Sequence, residues 1–462
     1  MDKFDSLRKQ NPVFVYKNYL ITEDNDKITI KYIFEFPGLK TFTPEWEFPK
    51  PEGFSGILSE DLTFERLVFS LGMAEAVSYW KAACSPEMRI ECGELSAEQI
   101  QWWKKLYFLG LGEFFYVNSI DPDFDTFVTI NPCGSFRADS SRPAQKLSGC
   151  LVPIGGGKDS ALTIETLVNA GMNCKGYSIN SRCSITATAV AAGIGSEGLI
   201  TARRRFDRTL LELNSAGYLN GHTPFSSVVA FSAEITAYLH GLKYIVLSNE
   251  SSANESTVAG QSVNHQYSKS FEFERDFSQY EKIYLGTGIS YFSFLRPLTE
   301  FQIAKMFVSH EKYLPVFRSC NLGGKVSPDI WCAECPKCLF VCLIISPFVS
   351  KDRLTEIFGR DLLNEPDMQQ YFKELLGLTE HKPFECVGSI DEVKLAVTLA
   401  IRSYEASKTE LPLLFRDFVS LGLYQPDLAD HKLTEYCSSY NSENLLPEEF
   451  EIILKNEMER LL

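Results

Sequence analysis

Two groups of residues in this 462-residue chain have types and spacing suited to chemistry. The first is Gly155-Gly156-Gly157-Lys158-Asp159-Ser160, set between the apolar run "CLVPI" and a helix-forming run that Gly171 stops. Glycines let backbone amides turn inward, and the N-terminal amides of the next helix favour an anion, so the stretch predicts a phosphate loop. It is not a Walker loop: Asp159 follows the lysine where Ser or Thr should reach magnesium, and Val152 stands at the first-glycine position. The dinucleotide fingerprint also fails, because Ser160 occupies its third glycine. The second group is Cys332, Cys335 and Cys338 in Cys-x-x-Cys-x-x-Cys spacing, with Cys320 one loop upstream. Four such thiolates can close round one zinc ion. With Cys342 as fourth ligand the run has ferredoxin-cluster spacing instead, and a metal-free group of thiols is the third reading.

The elements that must position these residues can be read from periodicity. Alternation from about Phe14 to Phe48, as in "KITIKYIFEF", predicts antiparallel strands. Helical spacing follows from Leu62 to about Cys84, and Ser96 with Gln99 forms a capping-box pattern before a second helix. The Pro-, Gly-, Ser- and Arg-rich stretch from Asn131 to Gln145 reads as a linker. Beyond it, strand, glycine loop, helix and the strand "CKGYSI" make a βαβ unit of a parallel sheet. The helical "FSSVVAFSAEITAYLHG" leads into the strand "KYIVLSNE", so Asn249 and Glu250 end a strand in the same crevice as the glycine loop. After about Pro347 the pattern is mostly helical. The expected fold is therefore α/β: an N-terminal α+β domain over 1–145, a parallel-sheet catalytic domain over 146–346 and a helical region over 347–462.

Composition narrows the function classes. A net charge of −15 and a sequence pI near 5.1 argue against a nucleic-acid partner, which needs clustered Lys and Arg. The start of the chain has no signal-peptide pattern, and the longest apolar run, Cys338 to Val349, is too short to span a bilayer. Thirteen cysteines without an export signal favour reduced thiols, so the cytoplasm is the expected compartment. Oligomeric state is left open.

"GGGKDS" resembles the Ser-Gly-Gly-x-Asp-Ser loop of the ATP pyrophosphatase (PP-loop) superfamily, whose members cleave ATP between the α and β phosphates. The match carries Gly156, Gly157, Asp159 and Ser160, and departs at Gly155, where the superfamily usually has Ser. "FLRPLTEFQIAKMF" is similar to the second signature of that superfamily, which implies that Arg296 and Lys305 join Lys158 and the loop in holding ATP. A zinc cluster after the catalytic domain is also found in its cyano-deazaguanine synthases. "GMAEAVSYWKAACSP", "SNESSANESTVAGQSVNHQYSKSFEFE" and "HKPFECVGSIDE" then resemble the ATP-dependent UDP-N-acetylmuramoyl-L-alanyl-L-glutamate epimerases of peptidoglycan synthesis, from about residue 60 to 395.

That resemblance implies a small-molecule UDP-sugar dipeptide substrate, ATP, magnesium at Asp159 and structural zinc. The N-terminal domain would take the UDP-sugar. For proton transfer the candidates are His265, a natural general base, with Lys269, Glu385 and Cys386. Asn249, Glu250, Asn254 and Tyr267 are candidate substrate contacts, and His222 reads as a loop histidine. The competing readings are an amide- or nitrile-forming adenylating synthetase, a tRNA sulfur-transferring enzyme and an ATP-binding regulator without turnover.

Overall fold

The computed structural model describes residues 3–54, 58–138, 146–254, 267–320, 322–323, 329–380, 382–383, 385 and 387–462. The chain makes two compact units, one of Met1–Leu151, Ile200–Ile245 and Val263–Tyr291, the other of Val152–Leu199, Val246–Ser262 and Phe292–Leu462. This differs from a division into three consecutive parts. Its cause is long-range strand pairing, which leaves no mark on local periodicity.

The first unit begins with the alternating stretch. Strand β1 (Val13–Glu23) lies antiparallel to β2 (Lys27–Phe36), and β2 is antiparallel to both β3 (Lys40–Phe42) and β4 (Glu45–Pro49). Every second residue of "KITIKYIFEF" is buried, as a half-buried strand requires. Strands β5 (Glu87–Ile90) and β6 (Thr129–Pro132) add on in parallel beyond β1. Across them lies the 19-residue helix Leu62–Trp80, capped by Asp61, whose carboxylate accepts from the Thr63 and Phe64 amides. Gly72 in that helix is needed for close approach: a Cβ there would sit 2.0 Å from the Tyr16 hydroxyl. The Ser96 capping box forms as expected and starts the helix Ala97–Gly110.

The strands of the glycine-loop sheet are β7 (Cys150–Pro153), β8 (Cys174–Ile179), β9 (Leu199–Arg205), β10 (Tyr244–Leu247) and β11 (Ser290–Ser293), in the order β11-β10-β7-β8-β9. Strands β10 and β7 run parallel. Helix Lys158–Asn169 crosses from β7 to β8 and helix Cys183–Ala191 from β8 to β9. In the first unit, β9 turns back to pair Arg203–Arg205 antiparallel with Glu45–Glu47 of β4. Beyond Pro347 the described residues hold only helices and their connections. No helix among the described residues is long and apolar enough to cross a membrane.

Candidate active site

The glycine loop leaves β7 at its carboxyl end, in the second unit. Gly156 has φ +85°, a conformation that costs L-residues strain, and a Cβ on it would lie 2.5 Å from the Ser184 hydroxyl. A Cβ on Gly157 would lie 2.6 Å from the Ser319 hydroxyl, and the Gly156 carbonyl accepts from the Arg318 amide at 2.6 Å. Glycine is thus required at both positions by close packing. Gly155 is different: its side-chain direction meets open space.

Helix Lys158–Asn169 starts at Gly157 with no side-chain cap, so the amides of its first turn remain available to an anion. Ser160 Oγ turns back to the Gly157 carbonyl at 3.2 Å. Beside the loop, the Ser184 amide donates to Asp329 at 3.0 Å, which caps helix Cys183–Ala191. A cavity of about 680 Å³ opens there, lined by Ser181, Arg182, Thr186, Ala187, Val190 and Asp329. It lies past the end of β8, where open α/β sheets take ligands.

Lys158 does not point into the loop. Its ammonium is buried and contacts both Asp159 and Glu300, the first residue of the helix Glu300–Val308. Burial alone would pull Lys158 down, but the two carboxylates override it and hold the ammonium above the ordinary lysine range. Glu300 is pushed up, first by burial and then by the charges of Asp159 and Glu250, while Lys158 opposes them. Two carboxylates touching one buried amine favour the ammonium, and the negative charge of Glu300 therefore depends on Lys158. Asp159 keeps 32% of its side chain exposed.

Two other expected nucleotide contacts, Arg296 and Lys305, have partners within the protein. Arg296 is wholly buried and donates to the Glu250 carbonyl at 2.7 Å, in the turn after β10. Lys305 lies on the helix Glu300–Val308 and donates to the Leu462 carbonyl at 2.6 Å, tying down the C-terminal helix. Arg296 is buried, whereas Lys305 is half-buried. Asn249 donates to Ser293 Oγ at 3.0 Å, and Glu250 is buried.

Tyr267 belongs to the first unit, where its ring is buried against Phe273 with centroids 6.1 Å apart. Lys269 ends the same short 3-10 helix, Tyr267–Lys269. His222 lies 3.6 Å from Glu113. His265 and Cys386 lie outside the described residues, as does the side chain of Asn254. Glu385 is half-buried, three residues before Gly388.

The sulfurs of Cys320, Cys332, Cys335 and Cys338 all lie within 4.8 Å of one another. Two separations are 3.4 and 3.6 Å, against the edge of about 3.8 Å that tetrahedral zinc–thiolate bonds require. The Gly323 and Cys332 amides donate to Cys320 Sγ at 3.1 and 3.4 Å. Cys335 and Cys338, followed by those amides, pull Cys320 well below the usual thiol range. Cys335 is pushed up to about 12, chiefly by Cys320. Four thiolates therefore cannot share this space without a cation, and the donor set fits zinc. Cys342 is buried in the helix Pro336–Ile345 and is not part of the group.

Glu300 was not among the residues expected from sequence. The signal was present: Thr299-x-x-Gln302 forms a capping box, which places Glu300 in a first helical turn beside the Arg-Pro-Leu signature.

Residues 5–294 match the model of the MurL N-terminal domain, and residues 316–417 that of the MurL C-terminal domain. A UDP-N-acetyl-alpha-D-muramoyl-L-alanyl-L-glutamate epimerase of Salinispora tropica is 36% identical over 347 residues, covering 73% of this chain and 73% of its own. One of the same name from a Micromonospora species is 34% identical over 406 residues, 86% of this chain and 88% of its own. That of Xanthomonas oryzae pv. oryzae is 36% identical over 336 residues, 71% and 73% respectively. With both domain models matched in order and relatives aligned over most of its length, the chain belongs to the MurL family.

Proposed function

We propose that the chain inverts the terminal L-glutamate of UDP-MurNAc-L-Ala-L-Glu to D-glutamate in peptidoglycan precursor synthesis, through an acyl-adenylate formed from ATP by a PP-loop site. The observation that carries the adenylation step is the loop itself: Gly156 at φ +85°, an uncapped helix start and a half-exposed Asp159, next to a cavity at the end of β8. Removing a proton beside a free carboxylate is unfavourable because a dianion forms. Attack of that carboxylate on the α-phosphorus of ATP releases pyrophosphate and neutralises the charge, which makes the α-proton far more acidic. A base takes it, an acid returns a proton on the other face, and water frees AMP.

The loop amides hold phosphate oxygens, and the cavity beside Ser181 and Arg182 takes the nucleoside. Magnesium, when bound, supplies positive charge for the departing pyrophosphate, and Asp159 is the residue that holds it. Cys320, Cys332, Cys335 and Cys338 hold zinc, which supplies a cross-link between the loop at 320 and the helix Pro336–Ile345. Glu385, Cys386, His265 and Lys269 are the proton-transfer candidates. The reading assigns the enzyme to the cytoplasm, without nucleic-acid or membrane partners.

Incubation with ATP, magnesium and UDP-MurNAc-L-Ala-L-Glu in deuterium oxide should give AMP, pyrophosphate and D-glutamate deuterated at the α-carbon. Absence of both AMP and deuterium would sink the reading. A requirement for ammonia, glutamine or tRNA would transfer the chain to one of the sister reactions.

A further inference from the structure

We propose that Glu300 is a positioning residue for the glycine loop: it anchors Lys158 beneath the loop, so that Asp159 keeps a face free for the nucleotide and its cation. The inference rests on the adenylation reading above. Lys158 is 3% exposed at its side chain and Glu300 4%, so their contact is buried, while Asp159 is 32% exposed. Two carboxylates share one ammonium. Were Glu300 absent, Lys158 would keep Asp159 as its carboxylate partner and would draw that carboxylate inward, away from any ligand.

Glu300 is itself held from the other side. Gly388 packs against it: a Cβ on Gly388 would lie 3.1 Å from both Cβ and Cγ of Glu300 and 3.0 Å from Glu392 Oε2. Glu392 Oε1 accepts from the Phe301 amide at 3.1 Å, and its other oxygen closes the Ser389 capping box. The helix Ile390–Ala406 and the helix Glu300–Val308 are thus joined at their first turns. In the stretch "HKPFECVGSIDE" the small Gly388 and the last acid, Glu392, serve this junction, which fixes the end of the segment carrying Glu385 in relation to Glu300.

The test is Glu300→Gln, which keeps shape and removes charge, with Gly388→Ala as a milder displacement of the same side chain. KM for ATP and kcat for substrate-dependent AMP release are measured for each, with thermal unfolding alongside. A merely structural role lowers the folded fraction and so kcat, and leaves KM unmoved. The expected result for Glu300→Gln is a KM for ATP raised about tenfold or more, the scale of a lost charged hydrogen bond. For Gly388→Ala the expected rise is about threefold, for a contact forced apart by a few tenths of an ångström.

Wild-type KM in both variants overturns the inference, whatever happens to kcat. Should Glu300→Gln fail to fold, the KM of Gly388→Ala decides alone. A wild-type enzyme that binds ATP but makes no AMP would count against the proposed reaction only. In that case the dissociation constant for a non-hydrolysable ATP analogue takes the place of KM, with the same expected rises and the same overturning result.

Discussion

Two buried ion pairs, one in each unit, use similar groups for different ends. In the first unit Glu75 is wholly buried and takes Arg204 in a bidentate pair at 2.8 and 2.9 Å, with the Trp46 indole donating at 3.3 Å. Phe206 and Phe225 lie 5.6 and 5.7 Å from the same guanidinium. The Glu75 carboxylate ends in a packed core, where a planar guanidinium matches it in fixed geometry. In the second unit Lys158 serves two carboxylates, one of them half-exposed at a loop whose amides are uncapped. The Lys158 ammonium is shared between two carboxylates, whereas the Arg204 fork is given to the one carboxylate of Glu75. The first pair holds a sheet to a helix, and the second leaves one carboxylate with a free side.

Breaking each pair should separate stability from activity. Asp159→Ala should lower AMP formation by about a thousandfold, the loss typical of a group that stabilises charge in the transition state. Its melting temperature should hold, since Lys158 keeps Glu300; AMP quantified in single-turnover mixtures checks the rate and calorimetry the fold. Glu75→Ala should cost about 3–5 kcal/mol of stability, because it removes the carboxylate that a buried guanidinium faces. Denaturant titration reads that loss, and the protein that remains folded should bind ATP with unchanged affinity.

Cys335→Ser should leave the protein without stoichiometric zinc by elemental analysis. It should also weaken ATP binding several-fold, because Arg318 and Ser319, which pack on Gly156 and Gly157, adjoin Cys320. Zinc retained at one ion per chain would refute the four-cysteine site, and Cys342→Ala should not alter the metal content. Gly155→Ser is the smallest change: with open space at that position, stability should stay within about 0.5 kcal/mol. A fall in KM for ATP would mean that the added hydroxyl reaches phosphate.

Much of this was legible before any coordinates. The strands of the first fifty residues follow from alternation, and the caps at Ser96 and Gly171 from single residues. The glycine loop and the cysteine spacing are local patterns, and both fold where their sequence puts them. What was not legible is the surroundings of single residues. A one-dimensional pattern does not report that Arg296 and Tyr267 are buried or that Lys305 is tied to the Leu462 carbonyl. Glu300 was missed because its partner is 142 positions away.

By itself the sequence determined which backbone could form the loop, that Cys332, Cys335 and Cys338 could meet and which family the chain joins, because these depend on residue type at short spacing; that Cys320 rather than Cys342 completes the group came from the structure. The tertiary structure alone decided where the charges go. Whether a lysine faces a ligand or a buried glutamate depends on the dielectric around it and on partners brought from distant segments. Neither is written in neighbouring residues.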